Sequence, residues 1–248
     1  MNTSASNPVT PAGYTERLAA TVAVLQRVAT EFTPAVFASS LAAEDMVLTD
    51  LILRKKLSIG IFSLETGRLH TETLGMLDRI KAHYGSAVTL YKPDPAAVND
   101  YVEKHGLNAF YDSVEMRKEC CRIRKVEPLK RALAGQRAWV TGQRRSQSTT
   151  RAELAVQEDD AAHGMQKFNP LADWSEEDVW HYIRSNQVPY NPLHDKGYPS
   201  IGCEPCTRAI QPGEDVRAGR WWWENADSKE CGLHMVDGKL IRIKPVSV

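Results

Sequence analysis

The sequence predicts an α/β protein built on a doubly wound, mostly parallel sheet. Three observations carry this. Short apolar, β-rich runs alternate with segments of helical period between residues 35 and 141. Small polar loops follow the runs, as they do where such sheets bind ligands beyond the carboxyl ends of their strands. The chain has 248 residues, enough for one sizeable α/β domain or a domain with an appended region.

Taken in order, Ala35–Ala38 reads as the first strand. Residues 44–55 read as a helix, with Met46, Val47, Leu48, Leu51 and Ile52 on one face. Residues 58–64 (SIGIFSL) read as a buried strand and residues 72–83 as a helix. Residues 87–91 and 96–105 repeat the pair. Residues 123–134 are helical in pattern, and residues 137–141 (RAWVT) form a fourth strand. Ser175 is placed to cap a helix whose first turn carries Glu176, Glu177 and Asp178. From about 186 the chain becomes loop-rich, with five prolines between Pro189 and Pro212. From about 211 no core periodicity is left, so a mobile C-terminal segment is expected. The expected division is a disordered tail over 1–13, an α/β domain over 14–210 and a C-terminal segment over 211–248.

Composition is 42% hydrophobic and 25% charged, ordinary for a soluble globular protein. Lys plus Arg and Asp plus Glu are both 31, which gives no bulk case for nucleic acid or a membrane surface. The first residues lack a basic start followed by an apolar core, so they are not a secretory signal. No run approaches the ~18 apolar residues of a membrane span. The expected compartment is the cytoplasm, where thiols stay reduced. Five cysteines there read as metal ligands or catalysts rather than disulfides.

Four of the five form two close pairs, Cys120–Cys121 and Cys203–Cys206, and Cys231 stands alone. Two pairs suggest a four-thiolate metal centre, iron or zinc, with a separate reactive thiol. Adjacent thiolates are awkward, though not impossible, on a single tetrahedral zinc, whereas an iron–sulfur cube offers four separate irons and fits a tandem pair more readily; the preference for the cube rests partly on family resemblance. A thioredoxin-like dithiol at Cys203–Cys206 is disfavoured, because the unit sits between Gly/Pro loops rather than between strand and helix. Four inert thiols are the plainest alternative. Their expected placement in loops beside basic residues speaks against that. Cys231 has Lys229 before it and His234 after it, and positive neighbours raise the thiolate fraction.

Anion sites must come from local clusters. Ser39 and Ser40 lead from the first strand into a helix, whose free N–H groups attract anions. Thr66, Gly67 and Arg68 follow the second strand, and residues 141–145, ending in Arg145, follow the fourth. Three polar loops converging on one sheet edge say more than any one of them. Arg122, Arg124 and Lys125 follow the cysteine pair. Arg217 and Arg220 precede Trp221, Trp222 and Trp223, a triplet that suits core, a ligand platform or a partner patch equally. Together the cations favour a phosphate or sulfate site.

In these motifs, which span roughly residues 35–234, the chain resembles the thioredoxin-dependent assimilatory adenylylsulfate reductases of the wider phosphoadenylylsulfate reductase family. The resemblance rests on residues 39–45, 65–68, 120–129, 141–145, 203–206 and 230–234. It implies the fold of the adenine-nucleotide α-hydrolases. It implies one 4Fe-4S cluster on Cys120, Cys121, Cys203 and Cys206, and a nucleophile at Cys231. Substrate-binding residues would be Ser39, Ser40, Thr66, Gly67, Arg68, Lys125, Arg145, Arg151, Arg217, Arg220 and His234. Expected partners are adenylylsulfate as substrate and thioredoxin as reductant, with neither nucleic acid nor membrane, in a homo-oligomer. Glu44 stands where ATP-using members of that fold carry a phosphate-facing lysine, and an acid there is expected to repel a triphosphate. The rival readings are a reductase for the 3′-phosphorylated substrate, an ATP-dependent thiolation enzyme and a zinc-bound interaction module.

Overall fold

The computed structural model describes residues 9–86, 88–148 and 151–224. Its sheet has six strands, β1 (Ala35–Ala38), β2 (Gly60–Leu64), β3 (Thr89–Tyr91), β4 (Ala138–Val140), β5 (Gln157–Asp160) and β6 (Met165–Phe168). They lie in the order β3-β2-β1-β4-β6-β5. All neighbours are parallel except β5, which pairs antiparallel with β6. The helices are α1 (Tyr14–Glu31), α2 (Ala43–Arg54), α3 (Thr71–Tyr84), α4 (Pro95–His105), α5 (Val114–Cys121), α6 (Glu127–Leu133) and α7 (Glu176–Asn186). The predicted mostly parallel α/β sheet is the one observed. The four predicted strands and the helices between them are present, with ends shifted by at most two residues, except that the predicted helix over 123–134 divides into a π-helical turn and α6, which begins four residues later. Ser175 caps α7 as predicted: its Oγ accepts from Asp178 N at 3.1 Å, and Asp178 accepts from Ser175 N at 2.7 Å.

Side-chain alternation along the strands explains the two layers of core. On β1, Phe37 joins the large cluster with Leu25, Met46, Val47 and Trp174, while Val36 and Ala38 pack with the smaller one. On β4, Ala138 and Val140 face the first cluster and Trp139 the second, with Phe62, Leu129 and Leu133. α1, α2 and α7 cover one face, and α6 covers the other. Sheet order reverses between β1 and β4, which is the topological switch point where such sheets take ligands.

One expectation is corrected here. Cys120 and Cys121 are not in a loop. They are the last two residues of α5, and the helix runs on through a π-helical turn, Arg122–Val126, into α6. Pro128 has no N–H to bond the carbonyl four residues back, which favours the widened turn. Neighbours on a helix point about 100° apart, so the two thiols diverge rather than crowd.

Candidate active site

The loops at the switch point enclose a cavity of about 260 Å³. Its floor is apolar, from Ala38, Phe62, Leu64, Leu129 and Trp139, and its walls are the polar loops after β1, β2 and β4. The predicted convergence of those loops is what the fold builds. In the β1 loop Leu41 holds φ 64°, a left-handed conformation unusual for a side chain of this size. Ser39 and Ser40 line the cavity. Ser40 donates both its backbone N, at 2.6 Å, and its Oγ, at 2.5 Å, to Asp45. Asp45 also takes the Gly142 N–H, so one carboxylate ties the β1 loop to the β4 loop. Burial pushes the Asp45 carboxyl up to about 6, against the opposing pull of the Ser40 donors. Gly142 has to be glycine: a Cβ there would lie 2.1 Å from Asp45 Oδ1.

At the N-terminus of α2, Ala43 N donates to His194 Nε2 at 3.1 Å. Burial lowers the His194 pKa, which keeps the ring neutral and able to accept. Glu44 lines the cavity but does not present a free charge to it. Its carboxylate is bound by Arg144 at 2.8 Å, an almost wholly buried pair. This revises the expectation that Glu44 repels a triphosphate by its charge alone.

Four cations line the cavity: Lys125, Arg151, Arg217 and Arg220. They come from three segments far apart in sequence, so the fold gathers them. Arg220 lies over Gly202, where a Cβ would come within 2.7 Å of its guanidinium. The two other predicted arginines point elsewhere. Arg145 donates to Leu154 O at 2.8 Å and pairs with Asp173, and is not among the cavity-lining residues. Arg68 donates to Leu107 O and Asn108 Oδ1 and stacks 5.4 Å from the Phe110 ring. Gly67 holds φ 72° beside Arg124. Cys231 and His234 lie outside the described residues.

Beside the cavity is a second, smaller void. Cys120, Cys121, Cys203 and Cys206 all line it, with Arg68, Arg117, Arg124, Lys125 and Trp221. Cys121, Cys203 and Cys206 are buried and Cys120 partly so, and among the described residues none of the four is in a disulfide. Polar groups surround the sulfurs. Thr66 Oγ1 sits 3.3 Å from Cys203 Sγ, Arg124 bonds Cys120, and Arg117 bonds Cys121. Burial raises the Cys120 thiol and pushes Cys206 up to about 12, so bare thiolates are costly here without a counter-charge. Among the described residues no three His, Cys, Asp or Glu side chains converge tightly enough to hold one metal ion.

Lys125 and Trp221 line both spaces. Trp221 is buried at φ 41°, with its N–H on Cys206 O at 3.1 Å. The guanidinium of Arg117 is 4.5 Å from its ring and that of Arg220 4.6 Å. Its indole Nε1 is buried and finds no hydrogen-bond partner among the described residues. Arg117 also makes a bidentate, buried pair with Glu224, at 2.5 and 2.9 Å. The described part of the C-terminal segment thus packs on the cysteine site. The tryptophan triplet divides: Trp221 lines the site, Trp223 packs edge-to-face against Tyr111, and Trp222 is exposed.

The comparisons with known proteins agree with this geometry. The phosphoadenosine phosphosulfate reductase domain matches residues 34–209. The chain is 61% identical over 237 residues to adenosine 5′-phosphosulfate reductase of Burkholderia cepacia, covering 95% of this chain and 94% of that one. It is 62% identical over 218 residues to the protein of that name from Allochromatium vinosum, covering 88% and 85%. Among solved structures, a phosphoadenylyl-sulfate reductase of Candida auris in a phosphate complex superposes with TM-score 0.66 at 28% identity, over 77% of this chain and 90% of that one. A Candida glabrata FMN adenylyltransferase, at 14% identity, TM-score 0.56 and coverage of 96% and 83%, shares the fold alone. By sequence match and by architecture, the chain belongs to the phosphoadenosine phosphosulfate reductase family.

Proposed function

We propose that this chain is an adenylylsulfate reductase of sulfate assimilation, converting adenylylsulfate to sulfite and AMP with thioredoxin as reductant. One observation carries the reading. A cavity at the sheet's switch point, lined by four cations, shares Lys125 and Trp221 with a four-cysteine site. An adenine nucleotide suits the apolar floor, and a phosphosulfate suits the cations.

The nucleophile of this reading is Cys231. Its thiolate attacks the sulfate sulfur, an S–S bond forms, and the S–O bond to AMP breaks with its electron pair leaving on the phosphate oxygen. Lys125, Arg151, Arg217 and Arg220 neutralise the charge that develops there. His234 orients the substrate or tunes the thiol. The enzyme is left as a Cys-S-sulfonate. A thioredoxin thiolate then attacks Cys231, sulfite departs with the bonding pair, and the second thioredoxin thiol closes the disulfide. The dithiol supplies both electrons, so no step needs another donor.

Cys120, Cys121, Cys203 and Cys206 would hold a 4Fe-4S cluster. Sulfurs spread around a void, with arginine donors to two of them and the Thr66 hydroxyl beside a third, suit a cluster with one iron per thiolate better than a single zinc. Bound there, the cluster would supply a fixed negative centre that orders Lys125 and Arg124. Among the described residues no helix is long and apolar enough to cross a membrane. The reading places the protein in the cytoplasm, as a homo-oligomer.

The test is a mass measurement. Incubation with adenylylsulfate and no thioredoxin should add one sulfonate, roughly 80 Da, to Cys231. An adduct on another cysteine, or none, would overturn the proposed chemistry.

A further inference from the structure

Glu44 stands at the start of α2, on the rim of the cavity. Its Oε1 takes three donors: Arg144 Nε at 3.0 Å, Arg144 Nη2 at 2.8 Å and Gln147 Nε2 at 3.0 Å. A carboxylate can only accept, and that fixes the sense of the Gln147 amide. Nε2 must face Glu44, so Oε1 must face away. There it accepts from Arg144 N at 3.1 Å and from Arg151 Nη1 at 2.7 Å. Gln147 and Arg151 both line the cavity, whereas Arg144 does not. Arg144 is buried, and its Nη1 is spent on Ser146 Oγ at 2.7 Å. The buried ion pair is therefore a fixed post, and Gln147 is the arm that joins it to a cation of the cavity.

We infer that Glu44 and Gln147 are positioning residues that hold the Arg151 guanidinium on the anionic end of the substrate. The inference rests on the reading of Arg151 as a phosphosulfate cation. The physical case is preorganisation. Arginine has many rotamers, and a cation already anchored loses less freedom when an anion arrives. The amide also does what a second carboxylate could not. It offers Glu44 a donor and Arg151 an acceptor without adding charge beside the incoming anion. Glu44 itself remains screened from that anion by Arg144.

The test is a double-mutant cycle in protein carrying Cys231→Ser, so that binding is measured without turnover. Dissociation constants for adenylylsulfate and for adenosine, which lacks phosphate and sulfate, are measured by titration calorimetry. Arg151→Ala should weaken adenylylsulfate by about tenfold or more. Gln147→Met should weaken it by about tenfold when Arg151 is present, and by less than about twofold when Arg151 is already alanine. Adenosine binding should not change in any variant. Gln147→Ala should reproduce the pattern if the methionine variant does not fold. Equal losses in both backgrounds would overturn the inference alone, as would full binding by Gln147→Met beside weak binding by Arg151→Ala. Unchanged binding by Arg151→Ala would overturn the assignment of Arg151 to the substrate, and the inference with it.

Discussion

Gly142→Ala should loosen the site through a contact that involves no substrate. The added Cβ would sit 2.1 Å from Asp45 Oδ1 and 3.3 Å from Glu44 Cβ. Ordinary contact begins near 3.4 Å, so the methyl and the carboxylate must separate by a further ~1.3 Å. Asp45 is held at 2.6 and 2.5 Å by Ser40 N and Oγ, and a shift of that size breaks at least one of those bonds. Overpacking costs ~1–3 kcal/mol, and a hydrogen bond to a charged group ~1.5–3 kcal/mol. A total of about 3 kcal/mol lowers the melting temperature by roughly 6–12 °C for a chain of this size. Thermal melting measures the loss, and titration with adenylylsulfate should show weaker binding, because the β1 and β4 loops part. The double variant Asp45→Ala/Gly142→Ala should melt no lower than Asp45→Ala alone, since the smaller side chain leaves room for the methyl. A Gly142→Ala protein that melts within about 1 °C of the parent and binds nucleotide equally would refute the reasoning.

Three other outcomes follow from the same geometry. Cys203→Ser should purify without oxygen with far fewer than the ~4 irons expected per parent chain, and full iron content in the variant would exclude Cys203 as a ligand. Arg145→Ala should leave KM for adenylylsulfate within about twofold, because the side chain is engaged with Leu154 and Asp173; a tenfold rise would place it in the site. The His194 pKa is lowered by burial, so its contribution to stability is present above the unfolded pKa of about 6.5 and is lost as pH falls through it toward the folded value. His194→Gln removes that titration, so the melting temperature of the parent relative to this variant should drop between about pH 7.5 and 5.5; parallel curves would contradict it.

Much of the fold is legible because burial imposes period on it. α2 declares itself through Met46, Val47, Leu48, Leu51 and Ile52, all buried. α1 carries a comparable stripe, Leu18, Val22, Leu25 and Val28, and the same rule applied to residues 14–31 would have found it. The β5–β6 hairpin was hidden for a different reason. β5 (QEDD) is the edge strand and β6 (MQKF) the next one in, and together they hold only two buried positions, so no apolar run marks them. The helical pattern over 123–134 runs across Pro128, but α5 (VEMRKECC) buries only Arg117 and Cys121, so no apolar stripe marks that helix or its continuity with α6.

The site was legible as loops and cysteines, and less so as individual side chains. Polar residues after β1, β2 and β4 meet because parallel strands end on one edge. Arg144 and Arg145 are identical in type and adjacent, and only the turn at Arg145–Gln147 decides which one faces Glu44. Asp45 with Gly142 and Glu44 with Gln147 join loops about a hundred residues apart, and no local pattern carries such a contact.

The central claim is that the cavity takes adenylylsulfate and the protein reduces it. Sulfite release measures this most directly, with thioredoxin as reductant and with adenylylsulfate and its 3′-phosphorylated form offered separately. The account predicts thioredoxin-dependent sulfite, with kcat/KM for adenylylsulfate higher by at least about a hundredfold, a difference of ~2.7 kcal/mol. Equal or reversed efficiencies would make the chain a reductase of the 3′-phosphorylated substrate, and no sulfite from either would contradict the account altogether.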